Sequence, residues 1–237
     1  MNELERFPRP SVTIDLILMS LSGRSMTVLL QLRSSAPFEG LWALPGGFVH
    51  IDESLDDAAA RILVDNARLK STWVEQLYSF GAPERDPRGR VITVAYFALV
   101  PAQTLEQAVR SASDLTVAKL KVPWPGEAGG SVFALGQEGE PLSLAFDHAE
   151  ILGMAVKRLR GKLAYTKIAF ALLPPLFTLR ELQNVHEAIL DQSLNKPAFR
   201  RRLLDRGWMA PTGERESGTV FRPAELYRVV TDRDAQH

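Results

Sequence analysis

A chain of 237 residues with 46% apolar and 24% charged residues has ordinary globular composition, enough for one large domain or two modest ones. Its 28 basic and 28 acidic residues balance to a net charge of +0, which excludes a chain-wide attraction to nucleic acid or anionic membrane and leaves only local patches. There is no cysteine, so disulfides and thiolate metal sites are excluded; the polar start MNELERFPRP lacks an apolar signal core and no apolar run approaches about 18 residues, so a cytoplasmic protein is expected.

Along SVTIDLILMSL, Val12, Ile14, Leu16 and Leu18 alternate with the period of a strand, and MTVLLQL (26–32) reads as a second strand joined through the turn-type segment LSGRS. Residues 34–46 are loop-like. Residues 54–68 read as a helix with Ser54 as N-cap and with Leu55, Ala59, Ile62 and Leu63 on one face. WVEQLYSF and VITVAYFALV are further strands, separated by the polar loop GAPERDPRGR. LTVAKLKVP (115–123) and SVFALG (131–136) are shorter strands around a Gly/Pro-rich loop. Helical spacing returns from Asp147 to about Lys162, with Ile151, Leu152, Ala155 and Leu159 three and four apart.

The character then changes. ALLPPLF (171–177) is a junction, because Pro174 and Pro175 break any helix; the pair suits a hinge or a rigid spacer equally. Thr178 and Glu181 form a capping-box pattern that opens TLRELQNVHEAIL. After the turn DQSLN, Asn195 caps a second helix, KPAFRRRLLDR, with Pro197 in its first turn and Gly207 at its end. WMAPTGERESGTVFR (208–222) reads as a two-stranded ribbon. Helix, turn, basic helix and hairpin is the outline of a winged helix.

That second helix carries Lys196, Arg200, Arg201, Arg202 and Arg206 against Asp205, and the wing adds Arg215 and Arg222. Phosphates attract such a face through counterion release, and arginine can read guanine in the major groove. Phe199, Leu203 and Leu204 form the stripe that docks the helix. His50 and His148 each stand beside a helix start, where a capping or otherwise satisfied histidine is the ordinary reading, and neither is assigned to catalysis.

Residues 40–70 resemble the Nudix box, a motif of glycine, glutamate, arginine and paired glutamates on one helix. Gly47, Glu53, Arg61, Leu63 and Leu69 fall on box positions, and LWALPGG precedes them as in that family. The departures are Ile62, Asp65 and Asn66 at the carboxylate positions and Arg68 at the box glycine. Nudix enzymes hydrolyse a diphosphate linked to another group, using Mg²⁺ held by these carboxylates. Ile62 cannot ligate a metal, Asn66 offers a neutral oxygen and Asp65 is shorter than glutamate, so hydrolysis is expected to be lost or very slow and no metal or other cofactor is expected. The LYSFGAPERDPRGRVITVAYF stretch resembles ADP-ribose pyrophosphatases. An arginine-rich loop suits a diphosphate, so Arg85, Arg88 and Arg90, with Arg33 and the box Arg61, are effector-binding candidates, and Trp42 or Phe48 could stack on adenine.

Together LWALPGGFV, FGAPERDPRGR, FDHAEIL, LAYTKIAFALLP, FTLRELQNVHEAIL and FRRRLLDRGWMAPTGE resemble the Nudix-related transcriptional regulators, NrtR. The resemblance implies an α+β chain: a Nudix-type α/β/α sandwich over 1–163, degenerate in catalysis and binding an effector, then a winged helix-turn-helix over 164–237. It implies a repressor of NAD biosynthesis or salvage genes, a homodimer on palindromic double-stranded operator DNA, released when ADP-ribose binds. The alternative is an ADP-ribose pyrophosphatase of residual activity with a C-terminal accessory domain.

Overall fold

A computed structural model describes residues 6–70, 72–217 and 223–230. Strand β1 (Ser11–Ser22) is covered on both faces. Ile14, Leu16 and Leu18 pack beneath α1 (Leu55–Asp65) and α2 (Ala102–Ser111), while Ile17 and Met19 join α3 (His148–Lys162) on the other side. The alternation in this strand therefore runs between two cores rather than between core and water, as in a sheet with helices on both faces.

The remaining strands are β2 (Ser25–Leu32), β3 (Trp42–Ala43), β4 (Gly46–Phe48), β5 (Glu75–Phe80), β6 (Val91–Leu99), β7 (Leu115–Lys121), β8 (Phe133–Leu135) and β9 (Pro141–Leu142). They form one mixed sheet in the order β5–β6–β1–β2–β7–β8–β9, with β3 and β4 attached to β2 and β1. β1 and β6 run parallel from Ser11↔Val91 to Met19↔Leu99. β1 pairs β2 only near their turn, from Met19↔Val28 to Ser22↔Ser25. Nearer its start it pairs β4 instead, from Thr13↔Phe48 to Asp15↔Gly46, and the far end of β2 pairs β3. The two strands thus splay, the 42–48 segment fills the wedge, and a cavity opens at the splayed end.

Ser54 caps α1 as expected, accepting from the Asp57 amide at 3.1 Å. The helix ends at Asp65 rather than 68, because the chain turns through Arg68 with φ 60° and the Leu69 amide returns to the Leu63 carbonyl at 3.0 Å. The box glycine position therefore keeps the left-handed conformation that glycine enters without strain, although arginine occupies it. Helix α2 was not foreseen from the sequence. Its N-cap is Pro101, which makes no side-chain cap, and it buries only Leu105 and Ala108.

The C-terminal unit comprises α4 (Leu179–Leu190), α5 (Lys196–Asp205), β10 (Met209–Arg215) and β11 (Glu225–Val229). The capping box is present: the Thr178 amide donates to Glu181 Oε2 at 2.7 Å, and Thr178 Oγ1 accepts from the Glu181 amide at 3.2 Å. Asn195 Oδ1 accepts from the Ala198 amide at 3.0 Å and starts α5. The ribbon differs from the sequence expectation. Its second strand lies at Glu225–Val229, past residue 222, and Met209 pairs with Val229. Tyr227 explains the register, since it is buried and bridges Phe177.

The two halves share one core. Ile17, Met19 and Leu30 of the sheet, Ile151 and Leu159 of α3, Leu182, Val185 and Ile189 of α4, and Phe199 and Leu203 of α5 belong to a single apolar cluster. At the proline junction, a 3₁₀ turn over Ile168–Leu172 is followed by buried Phe177, whose ring lies 5.5 Å from that of Phe170.

Candidate functional site

The cavity at the splayed strands has a volume of about 360 Å³. β1 contributes Thr13 and Asp15; the end of β2 contributes Gln31, Leu32 and Arg33; β4 contributes Gly46, Gly47 and Phe48. Asn66 enters from the end of α1, Arg85, Asp86 and Arg88 from the 81–90 loop, Asp114 from before β7, and Phe146 and His148 from the start of α3. Gly46 permits the close approach of β4: a Cβ there would lie 2.5 Å from Asp15 Oδ1 and 2.7 Å from the Ile14 carbonyl.

A buried ion network forms one wall. Arg85 donates to both Asp147 oxygens, at 2.9 and 2.7 Å, and approaches Asp15 Oδ2 at 3.4 Å. Burial works against the Arg85 charge, but the hydrogen bonds to Asp147 and the surrounding carboxylates outweigh it and raise its pKa. Beside it, His148 Nδ1 accepts from the Leu44 amide at 2.9 Å, and Nε2 faces Asp15 Oδ1 at 3.6 Å. Full burial lowers the His148 pKa, so the ring is neutral, with its proton on Nε2.

The adjoining lining is cationic and aromatic. Arg88 holds Asp86 through 3.0 and 2.7 Å contacts and lies 5.3 Å from the Phe48 ring centre and 5.8 Å from that of Phe146. The hydrogen bond from Arg88 holds the Asp86 carboxyl below its ordinary range. Arg33 lies 4.8 Å over Phe146 and donates to the Pro37 carbonyl at 2.8 Å; burial and the neighbouring Arg88 lower its pKa. Phe38 meets the edge of Phe146 at 4.9 Å.

The box positions are occupied in other ways. Ile62 is wholly buried beneath Gly47. Asn66 donates to the Gly46 carbonyl at 3.1 Å and to Gln31 at 3.3 Å, and Gln31 in turn donates to Asp114 at 2.8 Å. Asp65 is exposed and is not among the cavity residues. Glu53 is clamped by Arg61 at 2.6 and 3.0 Å, and this hydrogen bonding holds its pKa down to about 2. These side chains do not fit a Mg²⁺ centre: one is apolar, one is an amide already donating inward, one points to solvent and one is neutralised by an arginine.

Of the effector candidates, Arg33, Phe48, Arg85 and Arg88 meet at the cavity. Trp42, Arg61 and Arg90 do not. Trp42 packs half-buried against the larger core, since its strand position beside Leu32 turns the ring inward. Arg61 spends its guanidinium on Glu53 and on the Phe48 carbonyl at 2.9 Å, which fixes the loop before α1. Arg90 donates to the Gly81 carbonyl at 2.6 Å and closes the base of its own loop. Arg85 is a wall residue rather than a free fork, because both carboxylates beside it already hold it. Sequence reasoning missed Asp15, Gln31 and Phe146. Asp15 carried a signal: a carboxylate inside the apolar run IDLILM needs a buried partner.

On α5, Phe199 and Leu203 are buried, and Arg201 lies exposed on the opposite side. Lys196 and Arg202 are also exposed. Leu204, assigned to the docking stripe, is instead 47% exposed beside Arg201. Arg206 is used in packing: its guanidinium donates to the Ala164 carbonyl and stacks 4.4 Å from the Trp208 ring centre. Arg200 is half-buried, with its Nε enclosed and without a hydrogen-bond partner among the described residues. Arg215 is exposed on β10, donating to the Pro223 carbonyl at 3.1 Å; Arg222 lies outside the described residues. Lys196, Arg201 and Arg202 of α5 and Arg215 of the ribbon are thus the exposed cations of this unit's described candidates.

A Nudix-type sandwich joined through a shared core to a winged helix with a cationic second helix defines a class: Nudix domains fused to DNA-binding units. The NUDIX domain model matches residues 9–127, and the NrtR DNA-binding winged helix domain model matches residues 169–229. The chain is 37% identical over 224 residues to the ADPR responsive transcriptional repressor NtrR of Acinetobacter baylyi, covering 94% of this chain and 83% of that one. It resembles the crystal structure of Shewanella oneidensis NrtR complexed with a 27mer DNA, with TM-score 0.72, 34% identity and 94% and 95% coverage of the two chains. A MutT/nudix family protein from Enterococcus faecalis gives TM-score 0.73 at 26% identity, covering 94% and 88%. The chain belongs to the NrtR family of Nudix-related transcriptional regulators.

Proposed function

We propose that this chain is an ADP-ribose-responsive transcriptional repressor that binds operator DNA through α5 and the wing and leaves it when ADP-ribose fills the Nudix cavity. One observation carries the reading. The cavity keeps cationic and aromatic walls, while Ile62 and Asn66 stand where hydrolysis needs carboxylates. A sensor that destroyed its signal would lose it, so binding without turnover is the consistent role.

In this reading Arg33 and Arg88 meet the diphosphate and the exposed Phe48 stacks on the adenine; what supports it is that all three line the cavity. In the Acinetobacter baylyi relative ADPR responsiveness is part of the name, and the Shewanella oneidensis relative has been crystallised with DNA. The division near residues 163 and 164, the homodimer and a cytoplasmic setting belong to the same proposal, and genes of NAD biosynthesis or salvage are its expected targets. A dimer places each α5 in a major groove, with half-sites roughly 34–36 Å apart.

Calorimetric titration with ADP-ribose in the presence of Mg²⁺ tests the reading. Heat that saturates at fixed stoichiometry and returns to baseline after each injection supports it. Continuing heat, with AMP and ribose phosphate accumulating, would make the chain a pyrophosphatase.

A further inference from the structure

α3 has one end in the cavity and the other in the winged helix. At its start, Phe146 and His148 line the cavity and Asp147 holds Arg85. Fifteen residues of helix, about 22 Å at 1.5 Å per residue, lead to its last turns. There Arg160 is buried at 3% exposure. Its Nε donates to the carbonyl of Ile189, in the last turn of α4, at 2.9 Å. Its Nη1 donates to the carbonyls of Trp124 and Gly126 at 3.2 and 2.8 Å, and its guanidinium lies 5.0 Å from the Trp124 ring centre.

Between these ends the helix has little freedom. Ile151, Leu152, Ala155, Val156 and Leu159 are buried in the core that also holds Leu182, Val185 and Ile189 of α4. At Gly153 a Cβ would lie 1.8 Å from the Gly130 carbonyl, so helix and 124–131 loop are in backbone contact. A packed helix of this kind moves as a body rather than bending, because close-packed interiors do not deform continuously. The turn that Arg160 touches also sets the angle of α5. Glu187 accepts from the Leu194 amide and from Gln183, both at 2.9 Å, immediately before α5 begins.

We infer that α3 is the rod that couples the effector cavity to the reading helix, and that Arg160 is the positioning residue through which its displacement reaches the α4–α5 turn. The inference rests on the ADP-ribose reading above. Ligand that competes for Arg85, or presses on Phe146 and His148, re-seats the first turn of α3. The other end then carries the Ile189 carbonyl, and α5 with it.

The test compares operator affinity with and without saturating ADP-ribose in the full-length protein and in Arg160→Lys, which keeps the charge but replaces the two separately placed donor nitrogens, Nε and Nη1, with a single one. Wild type is expected to show a ratio of roughly 5–150. Arg160→Lys is expected to bind ADP-ribose as wild type does and to bind operator, with the ratio brought within about twofold of 1. An unchanged ratio in a variant that binds both partners overturns the inference. A wild-type ratio of 1 overturns the underlying reading instead. Hydrogen exchange on the wild type supplies a measurement free of any folding defect in the variant. ADP-ribose should change amide protection at 124–126 and 189–194; unchanged protection there, with protection gained at the cavity, overturns the rod.

Discussion

Arg85 binds Asp147 through two hydrogen bonds of 2.9 and 2.7 Å, tying the 81–90 loop to the N-cap of α3. Arg85 is almost fully buried and Asp147 partly so, with Asp15 at 3.4 Å completing the group. Removing the cation takes from Asp147 the partner of both its oxygens and leaves Asp15 facing only His148 Nε2 at 3.6 Å. Arg85→Leu should therefore lower unfolding free energy by roughly 3–5 kcal/mol, read from urea denaturation, and should also weaken ADP-ribose binding. A loss under about 1 kcal/mol would mean that water replaces the guanidinium at little cost.

Arg68 holds a left-handed conformation at φ 60°, where the Nudix box has glycine. The cost to an L-residue there exceeds the entropy that glycine loses on folding. Arg68→Gly is expected to raise stability by up to about 1 kcal/mol without altering ligand or operator affinity. Destabilisation would show that the Arg68 side chain makes a compensating contact.

Two buried histidines set the acid response. Burial lowers the pKa of His148 and, in α4, of His186, so both are neutral in the folded chain. The unfolded chain takes up these protons near the ordinary 6.5, whereas the folded chain does so only at lower pH. Stability from this source is therefore complete above about 6.5 and falls as pH drops below it. Urea midpoints measured from pH 7.5 to 5.5 should decline more steeply in wild type than in His148→Gln/His186→Gln. Equal slopes would contradict the assignment.

The arginines of α5 divide into two groups. Arg201 is exposed opposite the buried stripe, whereas Arg206 reaches the Ala164 carbonyl and the Trp208 ring. Arg201→Ala should weaken operator binding and, where it removes one phosphate contact, reduce the salt slope by about 0.9, with ADP-ribose binding intact. Arg206→Ala should instead lower the melting temperature. Fluorescence anisotropy at several salt concentrations, with calorimetry of unfolding, separates the two; identical profiles would contradict the division.

Much of this fold was legible because local chemistry and tertiary structure agree. The Ser54, Thr178 and Asn195 caps are short-range hydrogen bonds, and each forms where its sequence pattern places it. The losses have a common cause in long-range pairing. Which strand follows the wing loop depends on Tyr227 meeting Phe177, 50 positions earlier, and no local period encodes that. Within the site, residue type identified Arg33, Phe48 and Arg88, but it could not reveal that Arg61 and Arg90 would be spent on Glu53 and on backbone carbonyls. Phe146 was hidden because it precedes a helix and enters the cavity only through the packing of α3.

The central claim is that one ligand weakens the binding of the other, and the most direct measurement is reciprocal. Labelled operator is titrated with the protein with and without ADP-ribose, and ADP-ribose is titrated into the protein with and without saturating operator. ADP-ribose should raise the operator Kd, and operator should raise the ADP-ribose Kd by the same factor. Equal ADP-ribose affinity in the presence and absence of operator would contradict the account.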